Sequence, residues 1–204
     1  MITRVLPALG VAVAASLVGV GCASSPVRKV AASIPTTLPA VDPNAPETND
    51  PGDIPDNQIF VAYSPPGAGY SVKVPEGWGR SIEGSAVVFT DKFNSVRMEA
   101  VAVATAPTVD SATTVEVPII QKAAKAFALG KVRSVTRKGG PGVLVTYEAN
   151  SAPNAVTGKS IRLAVERYEF WKNGEEVILT LSGATGADNV DPWKAVTDGF
   201  SWTA

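Results

Sequence analysis

From residue 59 onward the apolar positions alternate with polar ones at a two-residue period, interrupted by clusters of Pro and Gly. That period sends successive side chains to opposite sides of an extended chain and predicts half-buried strands. Residues 59–63 and 70–74 form the first two, separated by Pro65-Pro66-Gly67-Ala68-Gly69. After the break Pro75-Glu76-Gly77-Trp78-Gly79, residues 86–90 and 96–104 form the next two. The period then changes. Ile119, Ile120, Ala123, Ala124 and Phe127 recur at steps of three and four, which predicts a helix with Pro118 in its first turn and Gly130 at its stop. Residues 113–116 (Thr-Thr-Val-Glu) also read as a capping box, but a start there sets Pro118 too deep, so the later start is preferred. Strands return at 131–138, 143–148 and 160–172, and Asn173-Gly174 is a hairpin turn into 175–182. In the long strand the apolar set Ile161, Leu163, Val165 changes phase to Tyr168 and Phe170, which predicts a bulge near Glu166-Arg167. Asp191 as N-cap and Pro192 at the first helical position open a short last helix that runs to about Gly199. Strands, a helix, an antiparallel run and a final helix define an α+β class, an antiparallel sheet with helices packed on it.

The N-terminal pattern is different. Residues 1–4 carry one positive charge, residues 5–21 are almost wholly apolar, and Leu17-Val18-Gly19-Val20-Gly21 leads into Cys22, the only cysteine. The run is short for a membrane span and its far flank is small rather than charged, which fits a secretory signal. Residues 18–22 resemble the lipobox of bacterial lipoproteins, with Gly19 where Leu, Val or Ile is usual. The resemblance implies a signal peptide over residues 1–21 and a diacylglyceryl (palmitate-type) modification of Cys22. It places the mature chain on the extracytoplasmic face of the cell membrane. Residues 22–58 then form a tether rich in proline (Pro26, Pro35, Pro39, Pro43, Pro46, Pro51, Pro55), without apolar periodicity. Arg28 and Lys29 lie near the lipid end, and Asp42, Glu47, Asp50, Asp53 and Asp56 further out. Stiffened towards polyproline II at ~3.1 Å per residue, such a tether reaches about 100 Å. Residues 59–204 are left as a single domain.

Composition narrows the chemistry. The chain has 18 basic and 19 acidic residues. Cleavage after residue 21 removes Arg4 alone, leaving 17 against 19, or −2. A balance so near neutral predicts no general affinity for nucleic acid. Histidine is absent. With Cys22 committed to the anchor, the Ser-His-Asp and Cys-His arrangements and the usual zinc sites are excluded. No cofactor or metal is expected, and no enzymatic activity.

The segment Gly69-Tyr70-Ser71-Val72-Lys73-Val74-Pro75-Glu76-Gly77-Trp78 at one end carries a second resemblance, together with Asp191-Pro192-Trp193 and Gly199-Phe200-Ser201-Trp202 at the other. From residue 59 to 204 the order is similar to the PsbP-like α/β/α sandwich, especially actinobacterial Lpq lipoproteins of the LpqN kind. The resemblance implies a non-enzymatic accessory or binding role in the cell envelope.

Three groups of residues are candidates for contact. Lys122, Lys125, Lys131, Arg133, Arg137 and Lys138 lie in a stretch without an acid between Glu116 and Glu148, suited to an anionic surface. Trp171, opposite in direction to Phe170, and Trp193 on the last helix are candidates for aromatic contact with a ligand, whereas Trp78 and Trp202 read as plugs of the core edge. Arg162, Glu166, Arg167, Glu169 and Lys172 alternate in sign, as cross-strand pairs on an exposed face do. Glu175-Glu176 and the pair Asp188 and Asp191 read as turn and cap residues rather than catalytic acids. The expected role is an accessory or scaffold that binds another envelope component. The alternative is a carrier of a small apolar or lipid ligand, which a sizeable apolar pocket near Phe127, Trp171 or Trp193 would favour.

Overall fold

The computed structural model describes residues 52–203. The signal segment, Cys22 and the tether as far as residue 51 lie outside them. Seven antiparallel strands form the main sheet in the order β3-β4-β5-β9-β8-β7-β6. They are β3 (Gly79–Glu83), β4 (Ala86–Asp91), β5 (Asn94–Ala102), β6 (Lys125–Arg137), β7 (Gly140–Asn150), β8 (Arg162–Lys172) and β9 (Glu175–Ala184). A small second sheet pairs β1 (Phe60–Tyr63) and β10 (Ser201–Trp202) on either side of β2 (Tyr70–Pro75). The α+β expectation holds, and the strands fall close to their predicted places. Asn173-Gly174 turns β8 into β9 with both residues at positive φ (52° and 89°), the geometry that Asn-Gly favours. β3, exposed along its length and with no internal apolar alternation, was not expected.

Helices cover both faces of the main sheet. On one face α3 (Val190–Asp198) and the small sheet bury the principal core, in which Val72, Val74, Trp193, Val196 and Phe200 pack on Phe89, Met98, Leu144, Tyr168, Phe170 and Leu179. On the other face a smaller cluster joins Ala112, Val117 and Ile120 to Val143 and Val145. Here the predicted helix is corrected. It starts at Thr108, whose hydroxyl accepts from the Ser111 backbone N–H (3.0 Å) while Ser111 Oγ accepts from the Thr108 N–H (2.9 Å). It then runs through α1 (Val109–Ser111), a π turn (Ala112–Glu116) and α2 (Val117–Ala123). In the π turn the Val117 N–H bonds to the carbonyl of Ala112, five residues back. That widening stands just ahead of Pro118, whose ring cannot fit beneath a regular i−4 carbonyl. The buried stripe therefore steps by five, from Ala112 to Val117, then by three to Ile120. Ile119 is 58% exposed. Phe127 and Gly130 lie in β6, not at a helix end, and Phe127 packs against Tyr147 with ring centroids 5.3 Å apart.

Two more expectations are revised. β8 pairs without a break with both neighbours, so it has no bulge at Glu166-Arg167. The phase change arises because Tyr168 and Phe170 point into the principal core while Arg167 and Glu169 point into the opposite face, where both are largely buried. Arg162 does pair across strands, with Glu148 of β7 (3.0 Å), but the alternating charges as a set are not an exposed ladder, since Arg167 and Glu169 are largely buried on the opposite face. The register shifts lie in β6 instead, between Lys125 and Ala128 and between Leu129 and Val132, with Ala126 at φ 52°. At α3 the N-cap position is Asn189, and Asp191 lies in the first turn with Pro192 behind it. The Asn189 carboxamide does not cap the helix. It accepts from the Ile54 N–H (2.8 Å) and donates to the Gly52 carbonyl (3.1 Å) and Asn94 Oδ1 (3.0 Å). Asn94 Nδ2 donates to the same Gly52 carbonyl (2.8 Å). A buried pair of amides thus fastens the start of the domain.

Candidate binding cleft between the last helix and the sheet

β8 alternates, so Ala164, Glu166 and Tyr168 share the face that α3 covers. They floor a cleft of about 370 Å³, walled by Trp193, Val190 and Lys194 of α3 on one side and by Arg133 and Arg137 of β6 on the other. An adjoining cleft of about 470 Å³ shares Ala164, Glu166 and Trp193 and extends past Ala128, Leu129 and Thr146. Leu129 is 46% exposed there. Together the two form an apolar-floored channel with its cations at one end, within the size range of small-molecule sites.

A chain of hydrogen bonds fixes the polar end. The Tyr168 hydroxyl donates to Glu166 Oε2 (2.6 Å) and accepts from Arg137 Nη2 (2.9 Å), while Arg137 Nε donates to Thr197 Oγ1 (3.0 Å) of α3. The Arg137 guanidinium also stands 5.2 Å from the centroid of the Tyr168 ring. Burial, with the Glu166 carboxylate beside it, pushes the Tyr168 hydroxyl up to about 12, so it stays a neutral donor. Arg137 is therefore spent on fixing α3 to β8. Arg133, exposed, makes no hydrogen bond or ion pair among the described residues.

The six candidate cations do not share one surface. Lys122 ends α2 over the opposite face, and Lys125 opens β6 against Asn150. Lys131 is exposed, its backbone N–H donating to Thr146 Oγ1 (2.8 Å). Arg133 and Arg137 enter the cleft, and Lys138 borders a shallow depression with Lys73 and Lys194. Trp193 lines both parts of the cleft. Trp171 is elsewhere, on the opposite face, its indole N–H donating to the Val103 carbonyl (2.8 Å) and its ring bordering an open groove of about 640 Å³. Phe127 belongs to the smaller core and does not line the cleft. Cys22 lies outside the described residues.

The opposite face holds charges that sequence reasoning missed. Arg167 Nε donates to Glu169 Oε1 (2.8 Å) and its Nη2 to Glu116 Oε2 (3.2 Å). Glu169 is fully buried, and its Oε2 has no hydrogen-bond partner. Arg97 makes a paired contact with Glu99 alongside. Burial first, then the Glu169 charge, pushes the Glu176 carboxyl up to about 7, and burial raises Glu169 against the pull of Arg167. The one trace of this in the sequence was the phase change in β8.

Glu176 carries a pH prediction. A carboxyl whose folded value is raised favours folding while protonated, so its stabilising contribution is complete below the ordinary carboxylate range and is lost as pH rises through about 7. Stability is expected to fall by on the order of 2 kcal/mol between mildly acid and mildly alkaline pH. Glu176→Gln should remove most of that fall, leaving the smaller slope due to Glu169. Urea unfolding across the range checks it, and an unchanged slope in the variant refutes it.

No protein-family model matches the sequence, and no curated protein matches it. Among solved structures, cyanobacterial PsbP (CyanoP) from Synechocystis sp. PCC 6803 is similar with TM-score 0.49 and 18% identity over 74% of this chain and 98% of that one. The Ran-binding protein Mog1p of Saccharomyces cerevisiae is similar with TM-score 0.47 and 8% identity over 71% and 96%. LpqN of Mycobacterium tuberculosis, described as involved in cell envelope biogenesis, is similar with TM-score 0.40 and 16% identity over 72% and 91%. Likenesses this distant concern architecture and say nothing of activity.

Proposed function

We propose that the protein is a lipid-anchored envelope lipoprotein which binds an amphiphilic ligand, without catalysis, in the cleft between α3 and the main sheet. The observation that carries this reading is the cleft itself, apolar along Ala164, Val190, Trp193 and Leu129 and bounded at one end by Arg133 and Arg137. A scaffold with a closed core has no use for such a space. The residues at its polar end are locked in a hydrogen-bonded chain rather than placed around a free nucleophile. The envelope location rests on the lipobox-like residues 18–22. The scaffold reading keeps one observation of its own, the exposed edge strand β3 with Ile82 76% exposed, open to pairing with a partner strand.

Native mass spectrometry of the detergent-extracted protein tests both parts. The expected result is a diacylglyceryl mass that Cys22→Ala removes, and a co-purified small amphiphile that Ala164→Phe, filling the cleft floor, displaces. An unlipidated protein would remove the anchor. Co-purification of a protein without any small molecule would replace the carrier by the scaffold.

A further inference from the structure

We infer that the ligand of the α3 cleft is a single-chain amphiphile with an anionic head, drawn from the membrane that holds the anchor, with Arg133 gripping the head and the tail lying past Trp193 towards Leu129. The inference rests on the binding role proposed above and adds the charge, the orientation and the source of the ligand.

The charge follows from the inventory of the lining. In the first part of the cleft, three cations, Arg133, Arg137 and Lys194, face one carboxylate, Glu166, and the further carboxylate of the second part, Glu148, is paired with Arg162. Glu166 is engaged by the Tyr168 hydroxyl, with Arg137 behind it, so its charge is largely answered within the protein. Lys194 pairs with Asp198 at 2.6 Å, four residues on along the helix, in a solvent-facing pair of the kind that contributes little. It can turn to an anion at little cost. Arg133 has no partner among the described residues to give up. Its planar fork matches a carboxylate or phosphate with two hydrogen bonds. A cationic or strongly polar neutral head would leave these charges unanswered.

The orientation follows from where apolar surface lies. The cations sit at the β6 and α3 rims of the first part of the cleft, whereas the second part, with Ala128, Leu129 and Ala164, carries no cation, and its carboxylates Glu148 and Glu166 are engaged by Arg162 and by the Tyr168 hydroxyl. Trp193 lies between them, common to both. One chain fits this channel.

The source follows from the amide clamp. Asn94 and Asn189 hold Gly52 so close to the sheet that a Cβ there would meet the Ala184 and Ala187 methyls at 2.9 and 3.5 Å. Ala184, Ala187 and Asn189 themselves line the cleft. Gly52, the described residue nearest to Cys22 in the chain, therefore lies beside the lining of the cleft. On a tether reaching about 100 Å at most, that side of the cleft is the part of the domain nearest in chain terms to the modified Cys22.

The test uses the mature chain from residue 22 with Cys22→Ala, which stays in buffer without detergent, and calorimetric titration below micelle concentrations. Laurate is expected to bind at least ten-fold more tightly than methyl laurate or dodecyltrimethylammonium. Arg133→Glu should weaken laurate at least ten-fold while leaving methyl laurate unchanged, and inorganic phosphate should not compete. Equal binding of laurate and its methyl ester would overturn the anionic head and leave the cleft reading standing. Competition by inorganic phosphate would overturn the amphiphile in favour of a free anion. Binding of none of the three amphiphiles would overturn both. Circular dichroism of Arg133→Glu, an exposed position, confirms that the variant is folded.

Discussion

Arg167→Ala is expected to lose about 3–5 kcal/mol of folding stability at neutral pH, the usual result of removing one partner from a buried ion pair. Against a total of about 5–15 kcal/mol for a domain, that is enough to leave part of the protein unfolded at ambient temperature. Among the described residues Arg167 is the one cation paired with Glu169, whose carboxylate is fully buried with one oxygen without a partner. Deleting the guanidinium also frees Glu116, and with it the only ion pair between the π turn and the sheet among the described residues. The loss should shrink in acid, because Glu169 then folds protonated and needs no cation, consistent with burial raising it already. Arg167→Met combined with Glu169→Leu should recover most of the stability, or exceed it, since apolar groups of similar size fill such a site without a desolvation cost. Urea unfolding followed by tryptophan fluorescence measures all three. A single variant within about 0.5 kcal/mol of the parent would show that the pair does not hold this face together.

Phe200→Ala is expected to cost a similar ~3–5 kcal/mol, by a different route. Phe200 is 1% exposed, stacks on Phe170 with centroids 4.4 Å apart and planes at 15°, and meets Trp202 edge-on at 5.2 Å. The short β10 that follows it pairs with β2 at two positions only, Ser201 with Ser71 and Trp202 with Tyr70. The ring therefore supplies much of what seats the end of the chain on the small sheet. Gly139 is fitted to it, for a Cβ there would overlap the ring and stand 2.8 Å from the Phe200 carbonyl oxygen. Phe200→Leu keeps most of the volume and should cost about 1.5 kcal/mol. Thermal unfolding of the two variants checks the order, and equal losses would mean that the site does not distinguish a ring from a branched chain.

The two sites differ in how far the amino-acid pattern reveals them. Phe200 belongs to the closing Phe-Ser-Trp segment, and its burial is legible because apolar residues at a strand start have few other uses. The Asn173-Gly174 turn is legible because two positive-φ positions in succession select that dipeptide. Arg167 and Glu169 are not. Charges in a strand read as solvated, and only the shift of apolar phase from Val165 to Tyr168 hinted that both faces of β8 are covered. The first helix was legible as an element but not in extent, since a π turn spaces Ala112 and Val117 by five, a step that a 3.6-residue template misreads. Of the cleft, Trp193, Arg133 and Arg137 stood out one by one. What brings them together is the pairing of β6 with β7 and of β7 with β8, and no local pattern specifies that neighbourhood.

The amide clamp at Gly52 also decides how a pull is shared. A force applied to the chain ahead of Gly52 is delivered through Asn94 to the first residue of β5, a strand flanked by β4 and β9 in the interior of the sheet, and through Asn189 to the foot of α3. Neither load falls on β3 or β6, the outer strands, where ladder bonds can be unzipped one at a time. A pull on the chain ahead of Gly52 therefore strains two side-chain amides first, which can re-form once the load passes, before the sheet begins to part.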